Sequence, residues 1–353
     1  MSTTMHISLS CVEYQIMSLS LALAIVTIPV ATAVLWLGSS WLEDASSHLS
    51  IYYDLPPVVQ GGIIAAVGSS FPELASVVIA ALLGSFDLGV GVVVGSAIFN
   101  ILVIPGLAAI LAGGSMTSTR TVVHKETLFY LLSIVVLFLT LALAVVYNPI
   151  DSGSTGELTR SLAAFPLVVY ALYLFLQWQD TGDYAGRSER MRIDVWRQWL
   201  LLAAGLLLVL VAVERLVDAV LVLGDTFDTP EFLWGVTIVA AATSLPDLVV
   251  SVRAAGHEHD VASISNVIGS NIFDLLVVIP VGVMIVGVAP VNFAIAAPMM
   301  GVLLIATVLL FVLLRTDLLL ERWEAFLLLV AYGIFLVWLV AETVGIVTLL
   351  PGN

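Results

Sequence analysis

A 40-residue segment that occurs twice constrains the fold of this chain more than any other feature. Residues 61–100 read GGIIAAVGSSFPELASVVIAALLGSFDLGVGVVVGSAIFN, and a second copy at residues 235–274 begins 174 positions later (235 − 61). The two copies are identical at 14 of 40 aligned positions, where ordinary residue usage gives about 4 by chance. Both carry acidic residues inside apolar sequence, which predicts a duplicated fold whose function depends on buried polar groups.

The chain has too few polar residues to cover a water-soluble globule of its size. Of its 353 residues, 61% are hydrophobic and 10% are charged, and the mean hydropathy is +1.13. A helix needs about 20 apolar residues to cross the hydrocarbon core of a bilayer. The sequence therefore predicts an all-α polytopic membrane protein with ten transmembrane helices, at residues 16–41, 57–83, 88–112, 122–147, 160–178, 197–223, 231–255, 262–287, 291–314 and 322–349.

The basic residues predict the orientation of the chain. With the ten helices numbered in order, nine of the eleven Lys and Arg residues fall in or beside loops on one side, and such loops face the cytoplasm. The opposite loops, residues 151–157 and 224–231, are acidic. We expect an integral protein of the cell membrane with both termini outside and the central linker in the cytoplasm. The nine residues are Arg120, Lys125, Arg187, Arg190, Arg192, Arg197, Arg253, Arg315 and Arg322.

Five predicted helices precede the central linker and five follow it. An odd number of crossings makes the two halves enter the membrane from opposite sides, so the repeats are inverted. We predict an N-terminal five-helix repeat at residues 1–178, a cytoplasmic linker at 179–196 and a C-terminal five-helix repeat at 197–353. Inverted repeats with polar, interrupted helices at the membrane midplane are a common construction of secondary transporters.

Each repeat places a carboxylate directly after a proline in the middle of an apolar segment. The two copies contain Pro72 followed by Glu73, and Pro246 followed by Asp247. Proline lacks an amide proton and leaves the carbonyl four residues earlier without its helical donor. In an apolar interior such a carbonyl is costly, but it is a good ligand for a cation. Hydroxyls on the same turns add neutral oxygens at Ser69, Ser70, Thr243 and Ser244.

A second motif in each repeat adds further oxygen ligands. Ser96 and Asn100 are four residues apart, as are Ser270 and Asp274, so each pair shares one face of a helix. The glycines Gly95 and Gly269 precede these serines and predict close approach of a neighbouring helix. Carboxylate, amide and hydroxyl oxygens together suit calcium, which takes 6–8 oxygens at about 2.3–2.6 Å, and also sodium.

The predicted site holds three carboxylates, Glu73, Asp247 and Asp274, and hence three formal negative charges when all are ionised. A membrane interior does not tolerate such a charge without cations or protons. The site can therefore cross between the two sides of the membrane only when it is loaded, either with calcium or with several monovalent ions. This electrostatic constraint predicts antiport.

The motifs GSSFPEL, VVGSAIFNIL, ATSLPDL and VIGSNIFDLL resemble the paired repeats of the sodium/calcium exchanger family, within the cation/calcium exchanger superfamily. The resemblance includes residues 37–42 and covers essentially the whole chain. It implies ten helices in two inverted halves, exchange of sodium against calcium, and movement of helices 1 and 6 across a fixed site. It also implies that Glu73 and Asp247 are central acidic ligands, with Asn100 and Asp274 beside them. The supporting ligands that it implies are Ser69, Ser70, Ser96, Thr243, Ser244 and Ser270.

Two departures from the family pattern concern the coupling ion. Many sodium/calcium exchangers carry Glu where this chain has Asp247, and Asn where it has Ala97. Asp247 together with GSAIFN and GSNIFD resembles the potassium-dependent branch. The proton/calcium branch prefers a GNxxE-type first motif, which is absent here. Sodium/calcium exchange is the leading hypothesis, with potassium-dependent exchange and proton/calcium exchange as alternatives.

Two other classes of protein use similar residues. A cation channel also selects its ions with acidic rings, but it conducts without a counter-ion gradient. An intramembrane aspartyl protease would use Asp247 and Asp274 as a dyad, which leaves Glu73 and Asn100 unexplained, and no Gly-x-Gly-Asp sequence is present. We predict a transporter and not an enzyme. We expect it to function as a monomer in the lipid bilayer, with calcium and sodium as transported ions, no cofactor and no nucleic-acid partner.

Overall fold

The computed structural model describes residues 2–53, 66–111, 115–150, 153–181, 194–254 and 260–343. Within these ranges, nine helical stretches are long and apolar enough to cross a membrane. A shorter apolar helix, Phe71–Leu82, supplies part of the second predicted segment, whose beginning lies outside the described residues. The predicted helical membrane fold with about ten helices is confirmed.

The first half of the described chain contains seven α-helices. The first of them is longer than predicted, because Leu42, Ala45 and Leu49 lie on one buried face and keep the polar residues between them within a packed helix. The predicted end of this helix at residue 41 is therefore wrong. A π-helical turn, Val122–Glu126, leads directly into the sixth helix. The seven are α1 Ser2–Tyr52, α2 Ala66–Ser69, α3 Phe71–Leu82, α4 Phe86–Leu102, α5 Ile104–Leu111, α6 Thr127–Tyr147 and α7 Arg160–Thr181.

The second half also contains seven α-helices, and two π-helical turns interrupt its repeated segment. One turn, Gly235–Val239, precedes the helix that carries Asp247. The other, Asp274–Val278, begins at a predicted ligand. Such turns frequently occur at functional sites. The seven helices are α8 Val195–Phe227, α9 Glu231–Trp234, α10 Ala240–Ala254, α11 Asp260–Phe273, α12 Ile279–Val286, α13 Phe293–Arg315 and α14 Arg322–Thr343.

Four short strands connect the two halves and were not predicted from the sequence. They are β1 Ser115–Thr117, β2 Thr155–Thr159, β3 Val288–Asn292 and β4 Leu319–Glu321. β1 pairs with β4 and β2 pairs with β3, both antiparallel. α6 separates β1 from β2, and α13 separates β3 from β4, so the two pairs lie at opposite ends of these helices. Each pair thus joins one strand from each half, and the inverted arrangement of the two halves stays a prediction.

The helices that carry the second motif of each repeat lie at the centre of the protein. In the most apolar window of Phe86–Leu111, 89% of the residues are buried, and in that of Ser263–Val286, 72% are buried. The corresponding value for Leu19–Tyr52 is 22%. Helices with little internal burial present most of their surface to lipid. The fold therefore places the second motif of each repeat on the two most buried of these segments, away from lipid.

α1 and α8 cross each other at two glycines. A Cβ atom at Gly205 would lie 2.8 Å from the carbonyl oxygen of Gly38 and 2.9 Å from the amide nitrogen of Leu42. Only glycine allows two helix backbones to approach this closely. α1 and α8 thus form one tightly packed pair, and they correspond to predicted helices 1 and 6. Movement of this pair across the site stays a prediction.

Candidate functional site

All ten residues that the sequence predicts as ligands are buried in the structure. They lie at the junction of α2 and α3, on α4, on α10, and at the junction of α11 with its following π-helical turn. α4 contacts α3, α10 and α11, so residues of both halves meet around it. The ten are Ser69, Ser70, Glu73, Ser96, Asn100, Thr243, Ser244, Asp247, Ser270 and Asp274.

The two proline motifs differ in backbone shape. Ser70 stands between α2 and α3 with φ −92° and ψ 9°, and Pro72 lies in the first turn of α3. Pro246 lies inside α10, which continues without a break through Asp247. In the second half the irregular backbone comes earlier, in the π-helical turn Gly235–Val239. The two acidic residues are therefore presented by helices of different shape.

A hydrogen-bonded group at the centre of the site joins the two halves. The Ser96 hydroxyl donates to Glu73 Oε1 at 3.1 Å, and Ser96 Oγ lies 2.7 Å from Ser244 Oγ. Because Ser96 has one hydroxyl proton and donates it to the carboxylate, Ser244 is the donor to Ser96. The Thr243 hydroxyl also lies beside the Glu73 carboxylate. Glu73 of the first half is thus surrounded by residues of both halves.

Asn100 is held by an amide that the sequence analysis missed. Asn100 Nδ2 donates to Asn271 Oδ1 at 3.0 Å. Asn271 Nδ2 in turn donates to the Tyr130 hydroxyl at 3.2 Å and to the Ala97 carbonyl oxygen at 3.4 Å. Asn271 and Tyr130 therefore belong to the site. The available sequence signal was the polar side chain at 271 inside an apolar helix, where polar groups usually bond to a neighbouring helix.

Three acceptor oxygens of the site have no hydrogen-bond donor among the residues that the structure describes. They are Glu73 Oε2, Asn100 Oδ1 and Asp274 Oδ1, all buried. Asp247 and Asp274 lie within electrostatic range of Glu73 and of each other. Among the described residues, no basic side chain forms an ion pair with any of these carboxylates. Buried, unpaired negative charge is strongly unfavourable, so these oxygens require cations or protons.

Two hydroxyls of the site donate their protons to carbonyl oxygens of their own helices. Thr243 and Ser270 each donate to a carbonyl oxygen three residues earlier in the chain, both at 3.1 Å. A hydroxyl whose proton is engaged keeps its oxygen lone pairs for a cation. Ser70 Oγ lies beside the Asp274 carboxylate without forming a hydrogen bond of normal geometry. These hydroxyls are placed to add neutral oxygen ligands.

The three carboxylates do not converge on one point. Within the described part of the chain, no three Asp, Glu, His or Cys side chains are arranged to hold one metal ion. The Glu73 carboxylate is bonded to the Ser96 hydroxyl, and the Asn100 amide is bonded to the Asn271 amide. A cation bound in this arrangement would be coordinated by mixed oxygens.

Gly95 brings α4 against the second half, as the sequence predicts. A Cβ atom at Gly95 would contact the Val236 carbonyl oxygen and lie 2.8 Å from the Ala240 Cβ. At Gly269, no described atom lies within 4 Å of the corresponding position. The neighbour that the 174-residue offset assigns to it, residue 62, lies outside the described residues. Close approach is confirmed at Gly95 and stays a prediction at Gly269.

Comparison with known proteins decides the family. The sequence profile described as "Sodium/calcium exchanger protein" matches residues 23–179 and 197–341. This chain belongs to the sodium/calcium exchanger family. It is also 30% identical to inner membrane protein YrbG of Escherichia coli over 270 residues, which cover 71% of this chain and 78% of YrbG. The predicted family is confirmed.

A solved structure of the sodium-calcium exchanger NCX_Mj has the same fold as this exchanger-family chain. The TM-score is 0.60 at 26% identity, over 90% of this chain and 99% of that chain. A shorter match to sodium/potassium/calcium exchanger 4 of Mus musculus has 43% identity over 79 residues, which cover 22% of this chain and 13% of that protein. The likeness to the potassium-dependent branch is therefore partial. The protein is an integral membrane transporter and not an enzyme, as predicted.

The hydrogen bond from Ser96 to Glu73 leads to a prediction. Ser96→Ala removes this donor and the link to Ser244, so we expect calcium binding to weaken about tenfold, as for loss of other residues that orient metal ligands. The measurement is the calcium concentration that gives half of the maximal rise in unfolding temperature of the purified protein. Ser76→Ala is the matched control, because Ser76 is equally buried but donates to the Pro72 carbonyl. Equal calcium responses of the two variants would contradict the prediction.

Proposed function

We propose that this protein is a secondary active antiporter that exchanges calcium for sodium by alternating access at one site near the membrane midplane. One observation carries the proposal: Glu73, Asp247 and Asp274 are buried together, and no basic side chain among the described residues is paired with them. Only transported cations or protons are then left to neutralise them. The site can therefore be electrically neutral only when it holds cations or protons.

Competition for the same oxygens explains exchange in this proposal. One calcium ion and two sodium ions bring equal charge, and both suit carboxylate, amide and hydroxyl oxygens. When one kind of ion occupies the oxygens around Glu73, the other is excluded. An empty site carries unpaired charge, which makes its passage through the membrane costly. Conformational change is therefore favoured only with cargo bound, and the two cations cross in opposite directions.

The proposed ligands follow from their chemistry. Glu73 and Asp247 supply the central carboxylates, Asp274 a third, and Asn100 an amide oxygen. Calcium requires 6–8 oxygens at about 2.3–2.6 Å, so four side chains alone are too few. The remaining ligands in the proposal are the hydroxyls of Ser69, Ser70, Ser96, Thr243, Ser244 and Ser270, with carbonyl oxygens near the two prolines.

Potassium-dependent exchange is the second candidate function. The partial match to sodium/potassium/calcium exchanger 4 favours it, as do the aspartates at 247 and 274. In this version the third carboxylate belongs to a potassium position. Proton/calcium exchange would use protonation of the same carboxylates, but the chain lacks the GNxxE-type first motif. A cation channel is a further alternative, with the same residues and no obligatory counter-ion.

Calcium flux in proteoliposomes tests these functions directly. An imposed sodium gradient should drive calcium against its own gradient, with potassium absent from both sides and pH equal. Calcium flux indifferent to sodium would contradict the proposal. Flux that needs potassium or a pH gradient would establish one of the alternative exchangers, and calcium flux without any counter-ion would indicate a channel.

Asp247→Asn should abolish sodium-driven calcium exchange, because it removes one of the charges that the cargo neutralises. We expect at least a hundredfold decrease in the initial rate of calcium uptake. Asp218→Asn is the matched control: Asp218 lies on α8, pairs with Arg215 at 3.7 Å and is half exposed. Sodium-driven exchange that survives in Asp247→Asn would exclude Asp247 as an essential ligand.

We also propose that both termini lie outside and the central linker inside. The chain has a single cysteine, Cys11, so a Cys11→Ser background is free of thiols. In intact cells, a membrane-impermeant thiol reagent should label Ser154→Cys in the loop before α7 and should leave Ser188→Cys in the linker unlabelled. If the orientation is opposite, Ser188→Cys will be labelled and Ser154→Cys will not. Detergent-solubilised protein is the control, because both variants should react in it.

A further inference from the structure

We infer that Asn271 is a positioning residue, which holds the amide of Asn100 so that its carbonyl oxygen faces the cation. The inference rests on the proposed function, since it takes Asn100 as a ligand. An asparagine side chain has an oxygen at one end of its amide and a donor NH2 at the other. A cation site tolerates only the oxygen, so the rotation of this amide matters.

The orientation of Asn271 follows from a group that can only accept. Asn271 approaches the Ala97 carbonyl oxygen with its Nδ2 at 3.4 Å, and a backbone carbonyl has no proton to give. The amide of Asn271 must therefore direct its NH2 toward Ala97 and its oxygen the opposite way. Its second N–H is used as well, by the Tyr130 hydroxyl at 3.2 Å. Asn271 Oδ1 is left to face Asn100.

The orientation of Asn100 follows in turn. Two carbonyl oxygens facing each other would repel, so Asn100 presents Nδ2 to Asn271 Oδ1, at 3.0 Å. Asn100 Oδ1 is then directed away from Asn271. This oxygen is buried and has no hydrogen-bond donor in the described structure. A bound cation would satisfy this oxygen. Without a cation, it has no partner among the described residues.

Tyr130 anchors the amide pair from outside the repeated segments. It lies on α6 and its side chain is completely buried. Thr307 of α13 lies beside the Tyr130 hydroxyl and donates its own proton to the Leu303 carbonyl at 2.8 Å. The Thr307 oxygen is therefore available to accept the phenolic proton, which leaves the Tyr130 oxygen as an acceptor for Asn271.

The positioning role explains why the two repeats differ at two places together. By the 174-residue offset, Asn100 corresponds to Asp274, and Ala97 corresponds to Asn271. A carboxylate presents an acceptor oxygen in either rotation, so Asp274 needs no amide to orient it, and the corresponding residue is Ala97. An amide ligand such as Asn100 does need a residue that orients it. The half that contributes Asn100 receives its positioning residue from the opposite half.

The first test compares three single variants by calcium-induced thermal stabilisation and by the calcium concentration for half-maximal exchange. Asn271→Ala should weaken apparent calcium affinity about tenfold or more while the maximal exchange rate changes less than threefold. Tyr130→Phe should weaken apparent calcium affinity less than Asn271→Ala does, because the Ala97 carbonyl still orients Asn271. Asn266→Ala is the control, since Asn266 lies on the same helix and its side chain makes no hydrogen bond in the described structure. An Asn271→Ala variant with wild-type calcium affinity, or an equal loss in Asn266→Ala, would overturn the inference.

The second test exchanges the amide at position 100 with the carboxylate at position 274. The double variant Asn100→Asp with Asp274→Asn keeps three carboxylates and one amide, but the residue that the 174-residue offset assigns as the positioning partner of the new amide at 274 is Ala97, which has no amide to orient it. We expect calcium affinity to fall about tenfold. Adding Ala97→Asn and Asn271→Ala should recover at least threefold of that loss. A folded quadruple variant that binds calcium no better than the double would contradict the positioning role; if either misfolds, the single variants decide.

The two readouts separate this inference from the proposed function. Calcium-induced stabilisation of purified protein requires binding and no sodium coupling. A wild-type protein that binds calcium but does not exchange it for sodium would contradict the proposed function, and the comparison of Asn271→Ala with Asn266→Ala would still test the inference. A purely structural role of Asn271 would lower the unfolding temperature without calcium and leave the calcium midpoint unchanged, which would also overturn it.

Discussion

Three buried carboxylates that have no basic partner among the described residues are the constraint on which the rest of this membrane protein depends. Glu73, Asp247 and Asp274 lie among the most buried residues of the described chain. Keeping them there charged requires a compensating cation, because isolated charge in a medium of low dielectric costs several kcal/mol. The helices with the greatest internal burial carry or adjoin these residues. If Lys or Arg side chains neutralised these carboxylates, the site would have no electrostatic need for a transported cation.

Neither half forms the site alone. The Glu73 carboxylate accepts from Ser96, which is bonded to Ser244 of the second half, and Asn100 is bonded to Asn271. Backbone contact at Gly95 brings the two halves close enough for these bonds. At the ends of the helices, β1 pairs with β4 and β2 with β3. A relative movement of the halves would change several ligand contacts at once, which is the property that alternating access needs.

The duplication is approximate, and its departures from symmetry lie at the site. Pro72 follows a break between α2 and α3, whereas Pro246 lies inside continuous α10. One half supplies Asn100 where the other supplies Asp274. Two identical halves would give either four carboxylates, or two carboxylates and two amides, at positions 73, 100, 247 and 274. Either set would carry a different charge. In the proposed exchanger, this asymmetry would set the net charge that bound cations balance, and it would make the orientation of the Asn100 amide important.

The sequence by itself determined the membrane fold, the family and the set of candidate ligands. Apolar runs of about 20 residues are local signals, and the repeated motifs place Glu73 and Asp247 next to proline in both copies. It did not reveal the long extension of α1, the four strands, or the hydrogen bonds of Asn271 with Asn100 and Tyr130. Only the tertiary structure decided these, because they depend on contacts between distant residues. The bond between Asn100 and Asn271 joins positions 171 residues apart, and no local pattern specifies which groups will meet across the two halves.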